Sequence, residues 1–293
     1  MRIDLEIAEQ NNKKKVLHVL KKEMKLSGRL INKLKASGGI LLNEKPIRTV
    51  DSVQKGDILS VIISFNEEVF IQPEASELSI LFEDDCFLAV NKKPGVTVHP
   101  SAGHSTGTLA QQVLAYFIKQ GLSIKVRPIN RLDKGTSGIV LFAKNSHMQD
   151  RLINQMKENR VFKAYLGIVH GTFDPLEGII NQPIARKSGS IIERIVDPSG
   201  APSVTKYKTL EIHNNLSLVQ FILETGRTHQ IRVHTRAMGH SLLGDWLYSD
   251  IKTDLIERQA LHSYSLAFDH PLSGQRIEIV APIPNDMKKV LAV

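Results

Sequence analysis

Residues 130–144 read Asn-Arg-Leu-Asp-Lys-Gly-Thr-Ser-Gly-Ile-Val-Leu-Phe-Ala-Lys, a polar turn that runs straight into an apolar stretch from Ile139 to Ala143. An apolar run of this length bounded by turn residues reads as a core strand. The turn before it must therefore be held rigidly at the edge of a core. That turn carries one carboxylate, Asp133, between two cations, Arg131 and Lys134, and continues through Gly135-Thr136-Ser137-Gly138. Its glycines leave space for a bulky ligand beside the acid. The cations could receive phosphate, and a carboxylate presented to a polyanion is a candidate nucleophile. Taken alone, the same residues also describe an Asp that caps a turn and pairs with a neighbouring Arg.

The run Arg131-Leu-Asp-Lys-Gly-Thr-Ser-Gly resembles the signature loop of the RluA/RluD-type pseudouridine synthases. Two positions depart from that pattern: Asn130 stands where the family usually has His, and Gly135 where it often has an acidic residue, which suggests a more permissive backbone beside Asp133. Further segments resemble the family in its order. They are Lys92 to Pro100, a strand entering a Pro-Gly loop; Lys163 to Gly171, the strand that supplies an active-site tyrosine; Gly226 to His234; Gly239 to Asp245; Ala260-Leu261-His262; and His270-Pro271. The resemblance spans about residues 80 to 284.

Charge divides the chain. The net charge is +8, and residues 1–65 hold 13 Lys or Arg against 7 Asp or Glu, leaving 25 against 23 for the rest. A cationic excess concentrated in a short segment suggests a polyanionic partner. Val16, Leu17, Val19, Leu20 and Met24 recur at helical spacing with lysines between them. Ser27 could cap a second helix with Leu30, Ile31 and Leu34 inward, ended by Ser37-Gly38-Gly39. A short hairpin around Asn43-Glu44 and a strand from Ile58 to Ile63 follow. This arrangement resembles the S4-type RNA-binding module, with Lys14, Lys21, Arg29 and Lys33 on a face that would contact phosphates.

The expected organisation is an S4-like α/β domain over 1–65, an acidic linker over 66–78 that lets the two domains orient separately, and a synthase domain over 79–293. The whole is α+β, and the larger domain has a largely antiparallel mixed sheet with flanking helices. No apolar run approaches the ~20 residues of a membrane helix, and the first residues lack the apolar core of a signal peptide. With one cysteine, Cys86, neither an internal disulfide nor a cysteine-rich zinc site is possible. A cytoplasmic monomer, without membrane association, is expected.

What the resemblance implies is a base-turning isomerisation of uridine in RNA, foremost large-subunit ribosomal RNA, with transfer RNA open. It needs no cofactor, and no metal site is expected. Asp133 would be the essential carboxylate, attacking C1′ or removing the 2′ proton. Tyr165 would stack on the uracil and take part in proton transfer at C5. Arg232, between Ile231 and Val233, needs a buried anion, and Asp133 is the natural one. Arg131, Lys134 and Arg186 could hold phosphates around a flipped nucleotide, and Arg227 and His229 are backbone-binding or structural candidates. One rival is a non-catalytic RNA-binding or ribosome-assembly protein on the same fold, which leaves the filled acid, tyrosine and arginine positions unexplained. A zinc deaminase lacks its cysteines. A glycosidase would want a second motif-borne carboxylate.

Overall fold

The computed structural model describes residues 1–63, 71–100 and 105–292. The first 63 residues build a small unit. Strand β1 (Arg2–Glu6) pairs antiparallel with β4 (Ile58–Ile62), which also pairs with β2 (Ile40–Leu42) of the hairpin to β3 (Lys45–Pro46). Helices α1 (Val16–Lys22) and α2 (Gly28–Ser37) cover one face. Ser27 caps α2 by accepting from Leu30 N at 3.3 Å, and Gly38 ends it in the left-handed region at φ 67°. Val16, Val19, Leu20, Leu30, Ile31 and Leu34 pack on Ile40, Leu59 and Val61 in one apolar cluster. The lysines lie outside because the apolar stripe faces the sheet.

The rest of the described chain forms a ten-stranded sheet. Its strands are β5 (Ile80–Glu83), β6 (Phe87–Lys92), β7 (Arg127–Pro128), β8 (Ser137–Ala143), β9 (Phe162–His170), β10 (Glu177–Asn181), β13 (Val204–His213), β14 (Leu216–Leu223), β15 (Leu261–Asp269) and β16 (Arg276–Val280). The spatial order is β10-β13-β14-β9-β15-β8-β6-β5, with β16 on β15 and β7 on β8. Among the described strands, only β8 and β15 run parallel. A separate hairpin, β11 (Ile184–Arg186) with β12 (Arg194–Val196), projects beside helix α5 (Gln230–Ala237). Helices α3 (Leu109–Lys119), α4 (Ser146–Lys157) and α6 (Asn285–Leu291) complete the unit. Thr108 and Gln111 cap α3 reciprocally, so its first backbone N–H groups are satisfied.

Every side chain of β8 is buried, as its apolar run requires. Alternate residues serve two cores: Ile139 and Leu141 join Phe87, Met148 and Phe268, while Val140 and Phe142 join Leu88, Val113 and Phe117. Asn130 ties the signature loop to this strand, donating to Ile139 O at 2.9 Å and accepting from Leu141 N at 2.9 Å. Gly138 sits at φ 106°, and a Cβ there would lie 2.2 Å from Ser263 O. The parallel pairing of β15 therefore needs a residue without a side chain. Gly138→Ala is expected to cost about 3 kcal/mol or more, since both backbone strain and overlap oppose it; thermal melting of the purified variant measures this.

Of the expected linker, residues 66–70 lie outside the described residues. Residues 71–78 do not form a free tether. Glu74 N donates to Gln111 O at 3.2 Å, Glu74 Oε2 accepts from Gly107 N at 2.7 Å, and Leu78 packs under α3. Separate orientation of the two units meets a further obstacle. Met1 and Ile3 pack against the apolar cluster around Cys86 and Phe87, and Met1 Sδ lies 4.0 Å from Cys86 Sγ. The apolar start of β1 prefers that cluster to water.

Candidate active site

Strands β9, β14 and β15, loop 130–136 and the start of α5 converge on one cleft. Its volume is about 660 Å³, and Arg131, Asp133, Lys163, Tyr165, Arg227 and His229 are among its lining residues. A narrower recess of about 60 Å³ at its floor adds Thr136, Arg232 and Leu261. The cleft falls within the size range of small-ligand sites.

Asp133 is not buried as expected: its side chain keeps 28% of its exposure and faces the cleft. Arg232 Nη1 donates to its Oδ2 at 2.9 Å, so the contact anticipated from the sequence is present. The guanidinium itself is 4% exposed and is shared. Its Nε and Nη2 donate to Asp245 Oδ2 and Oδ1 at 2.7 and 2.8 Å, and Asp245 is wholly buried. Arg232 also lies 4.9 Å over the ring of Tyr248. Burial opposes its charge, but hydrogen bonds and proximity to Asp245, with Asp133 adding to them, push its pKa above the usual arginine range. The sequence reading gave Arg232 a single anion and missed Asp245. The only signal was its place in the segment that ends at Asp245, thirteen residues on.

Helix α5 starts at Gln230, because His229 before it adopts φ 59°. That bend turns the imidazole inward. Tyr248 Oη accepts from Arg194 N at 2.8 Å and lies 2.8 Å from His229 Nδ1. The other ring nitrogen, Nε2, lies 3.8 Å from Asp133 Oδ2. Burial lowers the His229 pKa despite Asp133 beside it, which favours neutral imidazole. His229 thus sits beside the carboxylate. His234 bonds instead to Thr205 and Gln182 O, so the two histidines do not converge on a common ligand.

Tyr165 is 8% exposed on β9, opposite Phe221 of β14 and Ser263 of β15. Burial pushes its phenol up to about 12, so near neutral pH it is a protonated ring lining the recess. Arg131, Lys134 and Arg227 are exposed around the cleft loops, and Arg227 Nε donates to Pro202 O at 3.2 Å. Arg186 is exposed on β11. Lys14, Lys21, Arg29 and Lys33 are exposed on the small unit and line none of this cleft. Gly135 differs from its expected part. Its φ is ordinary, and what it supplies is room: a Cβ there would lie 2.4 Å from Gln259 Oε1.

Lys92, unremarked as an individual residue in the sequence, is 1% exposed. Its Nζ donates to Lys93 O at 2.9 Å, Val96 O at 2.7 Å and Lys134 O at 3.1 Å, fastening the Pro-Gly loop to the residue after Asp133. Lys92→Met would strand three carbonyls, at about 1–3 kcal/mol for each left unsatisfied. Burial also pulls the ammonium down to about 7, against 10.5 in an open chain. Unfolding then takes up a proton between those values, so wild-type stability rises with pH across that window. Denaturant unfolding at pH 6.5 and 8.5 is expected to show a steeper rise in the wild type than in the Met variant, which keeps the rise owed to buried histidines such as His147 and His262, whose pKa values are also lowered by burial.

The profile of the RNA pseudouridylate synthase family matches residues 86–237. The "Uncharacterized RNA pseudouridine synthase YjbO" of Bacillus subtilis (strain 168) is 38% identical over 92% of this chain and 95% of its own. "Ribosomal large subunit pseudouridine synthase D" of Neisseria meningitidis serogroup B is 37% identical over 87% of this chain and 72% of its own. Among solved structures, human RNA pseudouridylate synthase domain containing 1 is 30% identical, with a TM-score of 0.59, over 72% of this chain and 86% of its own.

Proposed function

The chain belongs to the RNA pseudouridylate synthase family, and from that premise we propose that it isomerises uridine in large-subunit ribosomal RNA in the cytoplasm, with Asp133 as the essential carboxylate. The enzyme class and an RNA substrate follow from the family match and the extent of the relatives' identity. The ribosomal target rests on relatives that carry that name. The observation that carries Asp133 is its geometry: a partly open carboxylate at the floor of a cleft, aimed by an arginine that a second, buried carboxylate holds in place.

The reaction breaks the N1–C1′ bond, turns the uracil and joins C5 to C1′, releasing the C5 proton. No electrons are gained or lost. The base must first leave its stack, at a cost of a few kcal/mol, which favours loops over duplex as substrate. Asp133 Oδ1, unlike Oδ2, is not engaged by Arg232 and is the oxygen available to the sugar. It could attack C1′ or remove the 2′ proton. Tyr165, a phenol at neutral pH, offers a ring face to the uracil and a hydroxyl beside it. Arg131, Lys134, Arg186 and Arg227 are placed to meet phosphates, which position the RNA without reading its sequence.

Mapping pseudouridines in ribosomal and transfer RNA from cells with and without the gene tests this reading. Sites in large-subunit RNA that vanish with the gene support it; an unchanged map overturns it, and loss confined to transfer RNA moves the substrate. We further propose that residues 1–65 anchor RNA through their exposed cations. Replacing Lys14, Lys21, Arg29 and Lys33 together by Ala is expected to flatten the log–log salt dependence of binding by up to about 3–4, at roughly 0.7–0.9 for each phosphate no longer neutralised. Filter binding across a salt series measures it.

A further inference from the structure

The matched family segment ends at residue 237, yet a buried cation beyond it reaches the catalytic loop. Arg258 is 9% exposed, in the segment just before β15. Its Nε and Nη2 donate to Asp286 Oδ2 and Oδ1 at 2.7 and 3.0 Å. Asp286 lies in the first turn of α6, and burial, though it opposes the charge, is outweighed by Arg258, so its carboxyl lies below its usual range. The remaining nitrogen, Nη1, donates to three carbonyls: Gly135 O at 3.0 Å, Gln259 O at 3.0 Å and Leu261 O at 3.1 Å. Gly135 is two residues after Asp133, and Leu261 opens the strand that pairs with both β8 and β9. Gln259 adds a second contact, Nε2 to Thr136 Oγ1 at 3.2 Å.

A guanidinium is planar, so fixing two nitrogens fixes the direction of the third. With Nε and Nη2 seated on Asp286, Nη1 can point only where the loop carbonyl stands. The helix bearing Asp286 is anchored separately: Met287 and Val290 are buried against Leu166, Ile168, Leu218 and Ile256. Its docking therefore does not depend on the ion pair.

We infer that Arg258 and Asp286 are positioning residues for the uridine isomerisation, through which α6 sets the place of the Asp133 loop. The inference rests on the proposed role of Asp133. Arg258 touches no reacting atom; it acts through the carbonyl of Gly135. A displacement of about 1 Å at a reacting group can cost ~10²-fold in rate.

The test is single-turnover tritium release from a short [5-³H]uridine-labelled loop RNA with enzyme in excess, since forming the C5–C1′ bond expels the C5 hydrogen. Wild type, Asp286→Asn, Asp286→Glu and Lys288→Gln are compared, each at a temperature where thermal melting shows it folded, with RNA affinity measured by filter binding. Asp286→Asn keeps an oxygen for Met287 N, which now donates to Asp286 Oδ1 at 2.8 Å, but loses the charged fork. Its rate is expected to fall about 10-fold or more, within the range for misplaced catalytic groups, with RNA affinity unchanged. Asp286→Glu is expected to recover most of that rate by restoring the charged fork, and Lys288→Gln, altered at an exposed position of the same helix, to match wild type. An Asn variant as fast as wild type overturns the inference. So do Asn and Glu variants that are equally slow and bind RNA more weakly, because damage to the helix would then explain both. If Asp286→Asn does not fold, the rate of Asp286→Glu relative to wild type decides, a rate near wild type supporting the fork and one as low as that of Asp133→Asn overturning it. No release from wild type on any RNA would instead sink the functional reading itself.

Discussion

Asp133→Asn is expected to abolish pseudouridine formation while leaving a folded protein that still binds RNA. The amide matches the carboxylate in size. Arg232 keeps its two-pronged contact with Asp245, so the buried charge does not lose its principal partner. What disappears is the nucleophile or base, and such losses cost about 10⁴-fold or more. The measurement is tritium release from [5-³H]uridine-labelled RNA, beside thermal melting and filter binding. Substantial turnover by a cleanly folded Asn variant would remove Asp133 from the mechanism under either route, attack on C1′ or removal of the 2′ proton.

Arg232→Ala is expected to damage stability and activity together. The substitution takes the counter-charge from Asp133 and leaves Asp245, fully buried, with only the backbone N–H groups of Leu247 and Tyr248 as donors among the described residues, at 3.1 and 3.2 Å. Breaking a buried pair by removing one partner costs about 3–5 kcal/mol. For a chain of this size that corresponds to a fall in Tm of roughly 10 °C. Arg232→Lys should recover part of the stability and little of the rate, because one ammonium cannot serve the Asp245 fork and Asp133 at once. Adding Asp245→Asn to Arg232→Ala should restore some stability by removing the orphaned charge. Calorimetry of the four proteins decides this; a double variant no more stable than Arg232→Ala would show that Asp245 is not held as an anion by Arg232.

Local pattern was legible where the physics is local. The apolar spacing of residues 16–34 and the capping Ser27 place two helices with their lysines outward, because a helix has one stripe to bury and the remainder must face water. The run Ile139 to Ala143 marks a strand buried on both faces for the same reason. Strand β1 carries a period-two alternation, Arg2-Ile3-Asp4-Leu5-Glu6, yet it declares itself only by pairing with β4, more than fifty residues away.

Within the site, the sequence alone determined the chemical parts: an acid between cations, a tyrosine on a core strand, and an arginine whose apolar neighbours demand a buried anion. It could not determine how charge is shared among them, because each partner comes from a distant part of the chain. Arg232 divides its donors between Asp133 and Asp245, Lys92 fastens two loops through carbonyls that have no sequence signature, and Gly135 leaves room for the side-chain amide of Gln259. A sequence records which groups need a partner. Only the tertiary structure, by closing β8, β9 and β15 side by side, decides which group satisfies that need and how much of Asp133 stays open to a substrate.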